Sequence, residues 1–442
     1  MKNVSARMYG GMGVEGTRAS RRTALPAVRL DVAWAHALRE ALVAFAISRA
    51  LVLVSGALAA ELLGQSGRAP GFDPAGVTHP FGGLGDALVA PMARWDTVWF
   101  LAIADGGYGD DPARPAFFPL YPLLAKAVGA PLGSSLVGGI LISWAAFLVA
   151  LAVLHRLAMV ELGDARAARY AVLACALFPT AFFHTAVYSE GLFLALSIGA
   201  VYAARQGAWA WAGALGALAA GTRSAGVLLV VPLALLHLRA RREAGLPPLG
   251  RRPSEHRPLL AVALVPVGML AFCGWFALTG GDVRAPVDAQ QVWFREFAGP
   301  FVGLWDGTVA AVQGARQLLS GARDPVYFTA AGGDPFVVAQ ENLVLLAFLL
   351  ACVPAIVGVL RRLPVAYGAY VVAALALPLS TPVAPQPLMS TPRFLAVLFP
   401  LYLWAGLRLA RASARTATLA LGASAILLCV LTARFATWHW VA

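Results

Sequence analysis

The run Arg94-Trp95-Asp96-Thr97-Val98-Trp99-Phe100 sets one carboxylate between an arginine and two tryptophans, and Phe117-Phe118-Pro119-Leu120-Tyr121-Pro122 follows shortly after. Both stand just beyond the first long apolar stretch of the chain. A carboxylate held near hydrocarbon must be paired or put to use. Asp96 is suited to general-base work, taking the proton of an acceptor hydroxyl while that oxygen attacks an anomeric carbon. A blander role stays open, because an Asp ahead of a helix over 97–105, with Thr97 beside it, is a good N-cap. Arg94, two residues away, would neutralise Asp96 or keep it ionised. Trp95, Tyr121 and Tyr188 are aromatic candidates for shaping a sugar and acceptor pocket.

Further candidates lie downstream. Arg393 stands at the end of an apolar helix, where a guanidinium can fork onto a phosphate or simply snorkel to the interface. Arg223 has the same two readings, with Gly221 and Gly226 permitting a tight break beside it. Glu190 follows Tyr188-Ser189 at the start of an apolar stretch, where the helix dipole favours a carboxylate. His184 could donate a hydrogen bond to sugar or phosphate, or be merely interfacial. The four cysteines (Cys175, Cys273, Cys352, Cys429) sit in apolar runs without disulfide or zinc spacing. There is no Gly-rich nucleotide loop, no His cluster and no G-x-S-x-G elbow, so neither metal nor cofactor is expected.

Positioning these residues requires membrane. The chain is 60% hydrophobic and 13% charged, with a mean hydropathy of +0.73, far from the balance of a water-soluble domain. A net charge of +12 would suggest nucleic acid in a soluble protein. Here the cations cluster in short loops between apolar stretches, which points to membrane topology and no nucleic-acid partner. About eleven spans are predicted: 40–62, 134–155, 170–186, 190–204, 208–222, 225–238, 259–279, 340–360, 364–380, 394–410 and 416–433. With a cytoplasmic N-terminus, inside segments hold 22 Lys and Arg and outside segments 11, which satisfies the positive-inside rule. Residues 1–39 then read as a basic, disordered cytoplasmic arm without a cleavable signal peptide. Residues 40–434 form a single transmembrane domain with long outer loops at 63–133 and 280–337, and 435–442 is a short outer tail.

Every unusual polar motif falls on the outer face of this scheme. Within 280–337, Trp293, Phe294, Phe297, Phe301, Leu304 and Trp305 have helical spacing and predict a helix lying in the interface. Pro-rich 378–392 predicts an outer loop. The longest inside loop, 239–257, has no room for a nucleotide-sugar domain, so a lipid-linked phosphate sugar is the expected donor. The rival is a secondary transporter or flippase for a polar lipid or small solute. Transporters place ionisable groups near mid-membrane on repeated, broken helices, whereas these groups lie at outer ends and no internal repeat is evident.

The pattern Arg-Trp-Asp-x-x-Trp-Phe-x-x-Ile-Ala-x-x-Gly-Tyr (94–108), with Phe117 to Leu124, resembles the PIG-V family of mannosyltransferases, particularly its bacterial members. Phe182-Phe183, Tyr188-Ser189-Glu190, Arg223-Ser224 with Gly226, Gly299-Pro300-Phe301 and Pro392-Arg393-Phe394 extend the resemblance from about 90 to 405. It implies an all-α, polytopic GT-C-type bundle in the cell membrane with an extracytoplasmic active site. It further implies a polyprenyl-phosphate sugar donor, mannose as the hexose, inversion without a tightly bound metal, and the catalytic carboxylate in the first outer loop, the place of Asp96. Eukaryotic members of the family build the glycosylphosphatidylinositol anchor. The acceptor does not carry over to a bacterial chain and is expected to be another lipid or glycan.

Overall fold

The computed structural model describes residues 32–64, 69–73, 75–247, 257–323 and 334–441. Among them all regular structure is helical. Five helices are long and apolar enough to cross a bilayer: Val32–Leu62, Ser135–Leu162, Ser224–Glu243, Pro335–Arg362 and Ala414–Ala436. Two bent pairs, Gly83–Met92 with Thr97–Gly106 (109°) and Arg257–Ala263 with Val267–Leu278 (43°), raise that to seven if each counts as one span. The chain is a helical, multi-pass membrane protein.

Each predicted span meets helix in the structure, but several are shorter or broken. The stretch 170–186 is not one helix. Ala165–Ala176 stops before Phe178-Pro179, and only a 3-10 turn, Ala181–His184, intervenes before Glu190–Arg205. Pro179 cannot continue a helix and disfavours helical backbone in the residue before it. Likewise, 394–410 divides into Thr391–Ala396 and Phe399–Arg411, with Pro400 in the first turn of the second piece. A twelve-residue helix covers about 18 Å against a hydrocarbon core of about 30 Å. Non-helical backbone at membrane depth is tolerated only where protein buries it or it lines a cavity. The broken segments are where the candidate residues gather.

At its other end, Val32–Leu62 begins within the expected basic arm, taking up residues 32–39. The rest of that arm lies outside the described residues. The two long loops expected on the outer side hold helices, among them Thr97–Gly106, Leu120–Gly129 and Val302–Ser320. The aromatic stripe 293–305, however, is not one helix. Ala285–Val292 ends before it, Phe294 and Phe301 take left-handed backbone, and the next helix starts only at Val302. Pro300, which lacks an amide hydrogen, follows a left-handed Gly299 and interrupts the helical period.

A large apolar core joins Phe147, Leu151, Leu154, Val172, Phe193, Leu233 and Phe399 at the centre of the bundle. Small residues let helices approach closely there: a Cβ on Gly406 would lie 2.3 Å from the Ala167 carbonyl oxygen. A second, aromatic cluster joins Trp95, Phe100, Tyr121, Phe182, Phe183, Tyr188, Phe435 and Trp438. The expected outer tail thus has a packing role, because Trp438 is fully buried and Trp440 packs edge-on against Trp95.

Candidate active site

Asp96 owes its direction to Trp95. Trp95 has φ 54°, left-handed backbone that is unusual for a bulky residue and often marks functional strain. The turn sends the Trp95 ring into the aromatic cluster, 4.5 Å from Phe72 and 5.0 Å from Trp440 between ring centres. Asp96 is the N-cap residue of Thr97–Gly106, yet its side chain makes no capping hydrogen bond. Its carboxylate instead meets Nη1 of Arg393 at 2.5 Å. The backbone around it is clamped by one hydroxyl: the Asp96 amide donates to Tyr188 Oη at 3.0 Å, and Tyr188 Oη donates to the Arg94 carbonyl at 3.2 Å.

Arg393 also donates from Nε to Glu190, and Arg223 donates from Nη1 to the same Glu190 oxygen, Oε1. Glu190 opens Glu190–Arg205 and is fully buried; its Oε2 has no hydrogen-bond partner among the described residues. Gly226 allows Arg223 to reach this position. It packs onto the Ala219 backbone so closely that a Cβ would fall 2.3 Å from the Ala219 carbonyl carbon. The Arg393 guanidinium stacks 4.8 Å over Tyr188 and 5.6 Å over Phe183.

A fifth charge, Arg295, was not among the sequence candidates. Its Nη1 and Nη2 donate to the Thr381 and Met389 carbonyls, each at 3.3 Å, so loop 293–301 is fastened to the Pro-rich loop that leads into Arg393. Arg295 and Arg223 share the Phe394 ring, at 5.7 and 5.8 Å. Burial pushes the Arg295 pKa down to about 10, with Arg393 adding and Asp96 opposing, which leaves it protonated at neutral pH. The available signal was an arginine flanked by aromatics in a long loop between apolar stretches, the same pattern that singled out Arg94 and Asp96.

The structure therefore brings together Asp96, Tyr188, Glu190, Arg223 and Arg393, and adds Arg295. Three other candidates face elsewhere. Arg94 is buried, donates from Nε to the Ala436 carbonyl at 3.0 Å and lies 5.1 Å over Trp438, tying its loop to the C-terminal helix. Burial lowers its pKa to about 10, with Asp73 opposing. Tyr121 is buried with Oη bonded to the Gly139 carbonyl (3.0 Å) and Ser143 Oγ (2.8 Å), while Ser143 donates to the carbonyls of Ala186 and Tyr188. It braces the site from behind. His184 is buried and stacks on Phe147 at 4.6 Å, and no contact among the described residues joins it to Asp96. Trp95 lines, with Phe183, Tyr188, Phe435 and Trp440, a small recess onto which Arg393 opens. Among the described residues no group of His, Cys, Asp and Glu is placed to hold a metal ion.

Chemically, the cluster offers one partly exposed carboxylate beside a row of three guanidinium groups. Such a row binds an oxyanion with fork-like hydrogen bonds. The carboxylate next to it can receive a proton.

Comparison with known proteins finds similarity over part of the chain. Residues 39–241 match the family model described as Mannosyltransferase (PIG-V). GPI alpha-1,6-mannosyltransferase 2 from Cricetulus griseus is 36% identical over 170 residues, covering 36% of this chain and 33% of that protein. The Rattus norvegicus protein of the same name is 39% identical over 171 residues, covering 36% of this chain and 34% of that protein. The match thus spans about a third of the length of these curated relatives. Among solved structures, the archaeal oligosaccharyltransferase AglB from Archaeoglobus fulgidus, in complex with an inhibitory peptide and a dolichol-phosphate, aligns over 89% of this chain and 56% of its own. The TM-score is 0.43 and the identity 13%. Asp96, Tyr188, Glu190 and Arg223 all fall inside residues 39–241, the segment through which the chain is similar to the PIG-V mannosyltransferase family.

Proposed function

We propose that the chain is a membrane-embedded GT-C-type glycosyltransferase, a single domain over about 40–434 with its N-terminus in the cytoplasm. It moves a hexose, mannose by relationship, from a polyprenyl-phosphate sugar to a lipid-linked or glycan acceptor on the extracytoplasmic face of the cell membrane. The observation that carries this reading is the charge count of the cluster. Three arginines (Arg223, Arg295, Arg393) face two carboxylates (Asp96, Glu190), leaving one positive charge in surplus. A sugar joined to a lipid through one phosphodiester carries a single negative charge and offsets that surplus.

In the transfer step the donor phosphate lies against Arg393 and Arg295. An acceptor hydroxyl gives its proton to Asp96, and its oxygen forms a bond to the anomeric carbon as the bond from that carbon to the phosphate oxygen breaks. The departing lipid phosphate gains a second negative charge. Guanidinium groups already fixed by Glu190 and by the Thr381 and Met389 carbonyls meet that charge without reorganising, the condition under which electrostatic stabilisation is largest. Glu190 holds Arg223 and Arg393 in register and touches no substrate. Membrane lipids are the remaining partners, and the chemistry calls for no metal or cofactor.

The test is transfer in membranes with radiolabelled polyprenyl-phosphate mannose, wild type against Asp96→Asn. Loss of a positioned general base costs about 10²–10⁴ in rate, so label should reach a new lipid or glycan product only with wild type. Equal transfer by Asp96→Asn removes Asp96 as the base. Label that crosses the bilayer without being transferred would favour the flippase.

A further inference from the structure

The cluster does not use Arg49, which stands near the middle of Val32–Leu62 and is 3% exposed. An arginine within a spanning helix is expensive unless it is paired. Among the described residues no carboxylate pairs with it. Its Nη1 donates to Thr185 Oγ1, and its Nη2 donates to Ser48 Oγ at 2.8 Å and to the Ala181 carbonyl at 3.2 Å. Ser48 in turn donates to the Ala176 carbonyl. The guanidinium lies 4.7 Å over Phe147, the ring on which His184 also stacks.

These partners share one location. Ala176, Ala181 and Thr185 bound the break where Ala165–Ala176 has ended and Glu190–Arg205 has not begun. A helix end leaves carbonyls unsatisfied, and inside a bilayer no water replaces the lost partners. A cation at a helix C-terminus supplies hydrogen bonds and meets the negative end of the dipole. Three residues beyond Thr185 lies Tyr188, whose hydroxyl clamps Asp96, and two further on lies Glu190.

We propose that Arg49 is a positioning residue: by pinning the break at Ala181 and Thr185 it sets where Tyr188 and Glu190 stand, and through them Asp96 and Arg393. The proposal rests on the transferase reading for its kinetic consequence. Fold stability alone gives little reason to keep the charge, since apolar replacement of buried charges is often neutral or stabilising.

The full-length protein in lipid nanodiscs decides the matter, comparing wild type, Arg49→Met and Arg49→Lys by hydrogen–deuterium exchange, thermal midpoint and transfer kinetics. Arg49→Met should keep its thermal midpoint, exchange faster only within 177–189, and lose kcat by about a hundredfold, the scale of a small misplacement at a reacting centre, with donor KM raised as well because Arg393 shifts with Glu190. Arg49→Lys should recover part of kcat. Unchanged exchange over 177–189 overturns the proposal, as does loosening spread over all helices with a fall in thermal midpoint. If wild type transfers no mannose, the transferase reading falls, while exchange at 177–189 still decides whether Arg49 holds the break.

Discussion

Asp96 and Arg393 stand 297 positions apart in the chain and meet at 2.5 Å. The pair closes the candidate site between the loop 63–133 and the segment just after the Pro-rich loop. It also counts against the two blander readings of these residues. Asp96 occupies the N-cap position without capping, and Arg393 points inward to two carboxylates rather than outward to the interface.

Glu190 should behave as a structural hub. Both arginines bonded to it lose their shared counter-charge in Glu190→Gln, and breaking a buried pair costs about 3–5 kcal/mol. The single variant should therefore unfold at markedly lower temperature in detergent. Adding Arg223→Gln should restore part of the loss, because the two residues act on one interaction. Additive losses in a thermal double-mutant cycle would show that the pair is not coupled.

Arg295 should act on the donor. Its hydrogen bonds to two carbonyls fix the guanidinium beside Arg393, so its surplus charge is available to a phosphate. Arg295→Gln should raise donor KM by about tenfold to a hundredfold, the equivalent of losing a charge-assisted hydrogen bond of about 1.5–3 kcal/mol. Acceptor KM should stay where it is. The comparison is steady-state kinetics with each substrate varied in turn, and an unchanged donor KM would move Arg295 from substrate binding to loop fastening.

A cleft of about 460 Å³ lies along the far end of the helix that Asp96 begins, lined by Leu101, Asp105, Lys126, Ser134 and Ser135. Asp105 and Lys126 offer it both charges, and Asp105 already accepts from Ser135 Oγ at 2.5 Å. A hydroxyl-rich acceptor reaching Asp96 along Thr97–Gly106 would use these groups. Asp105→Ala and Lys126→Ala should then raise acceptor KM with donor KM untouched, the reverse of Arg295→Gln. If both variants keep wild-type acceptor KM, the cleft plays no part in acceptor binding.

Much of the site was legible because its residue types are costly where they stand. A carboxylate among interfacial aromatics and arginines at the ends of apolar stretches each announce themselves. What stayed hidden was partnership. Nothing local says that Arg94 turns toward Ala436 while Arg393 turns toward Asp96, since both choices are set by packing between distant segments. Arg49 carried a signal, a lone cation inside an apolar run, that a count of loop charges passes over. The fold was readable at the level of apolar stretches and not of their breaks. Pro179, Pro266 and Pro400 interrupt three of them, so hydropathy alone reads as a span what the structure divides.

The C-terminal segment offers the sharpest remaining test, because its local sequence suggests only an outer tail. Trp438 is fully buried, lies 5.6 Å from Trp95 between ring centres and sits under the Arg94 guanidinium. Its own backbone is left-handed, φ 61°, which folds the tail back over the loop that carries Asp96. Replacing a buried tryptophan with alanine costs about 3–5 kcal/mol. Trp438→Ala should therefore lower thermal stability substantially, and it should also lower kcat in the protein that remains folded, because Trp95 loses the ring that fixes its strained turn. Trp438→Phe, which keeps an aromatic face for Trp95 and Arg94, should recover most of both. A variant ending after Ala436 that kept wild-type stability and transfer would show the tail to be dispensable and would return the orientation of Asp96 to Tyr188 alone.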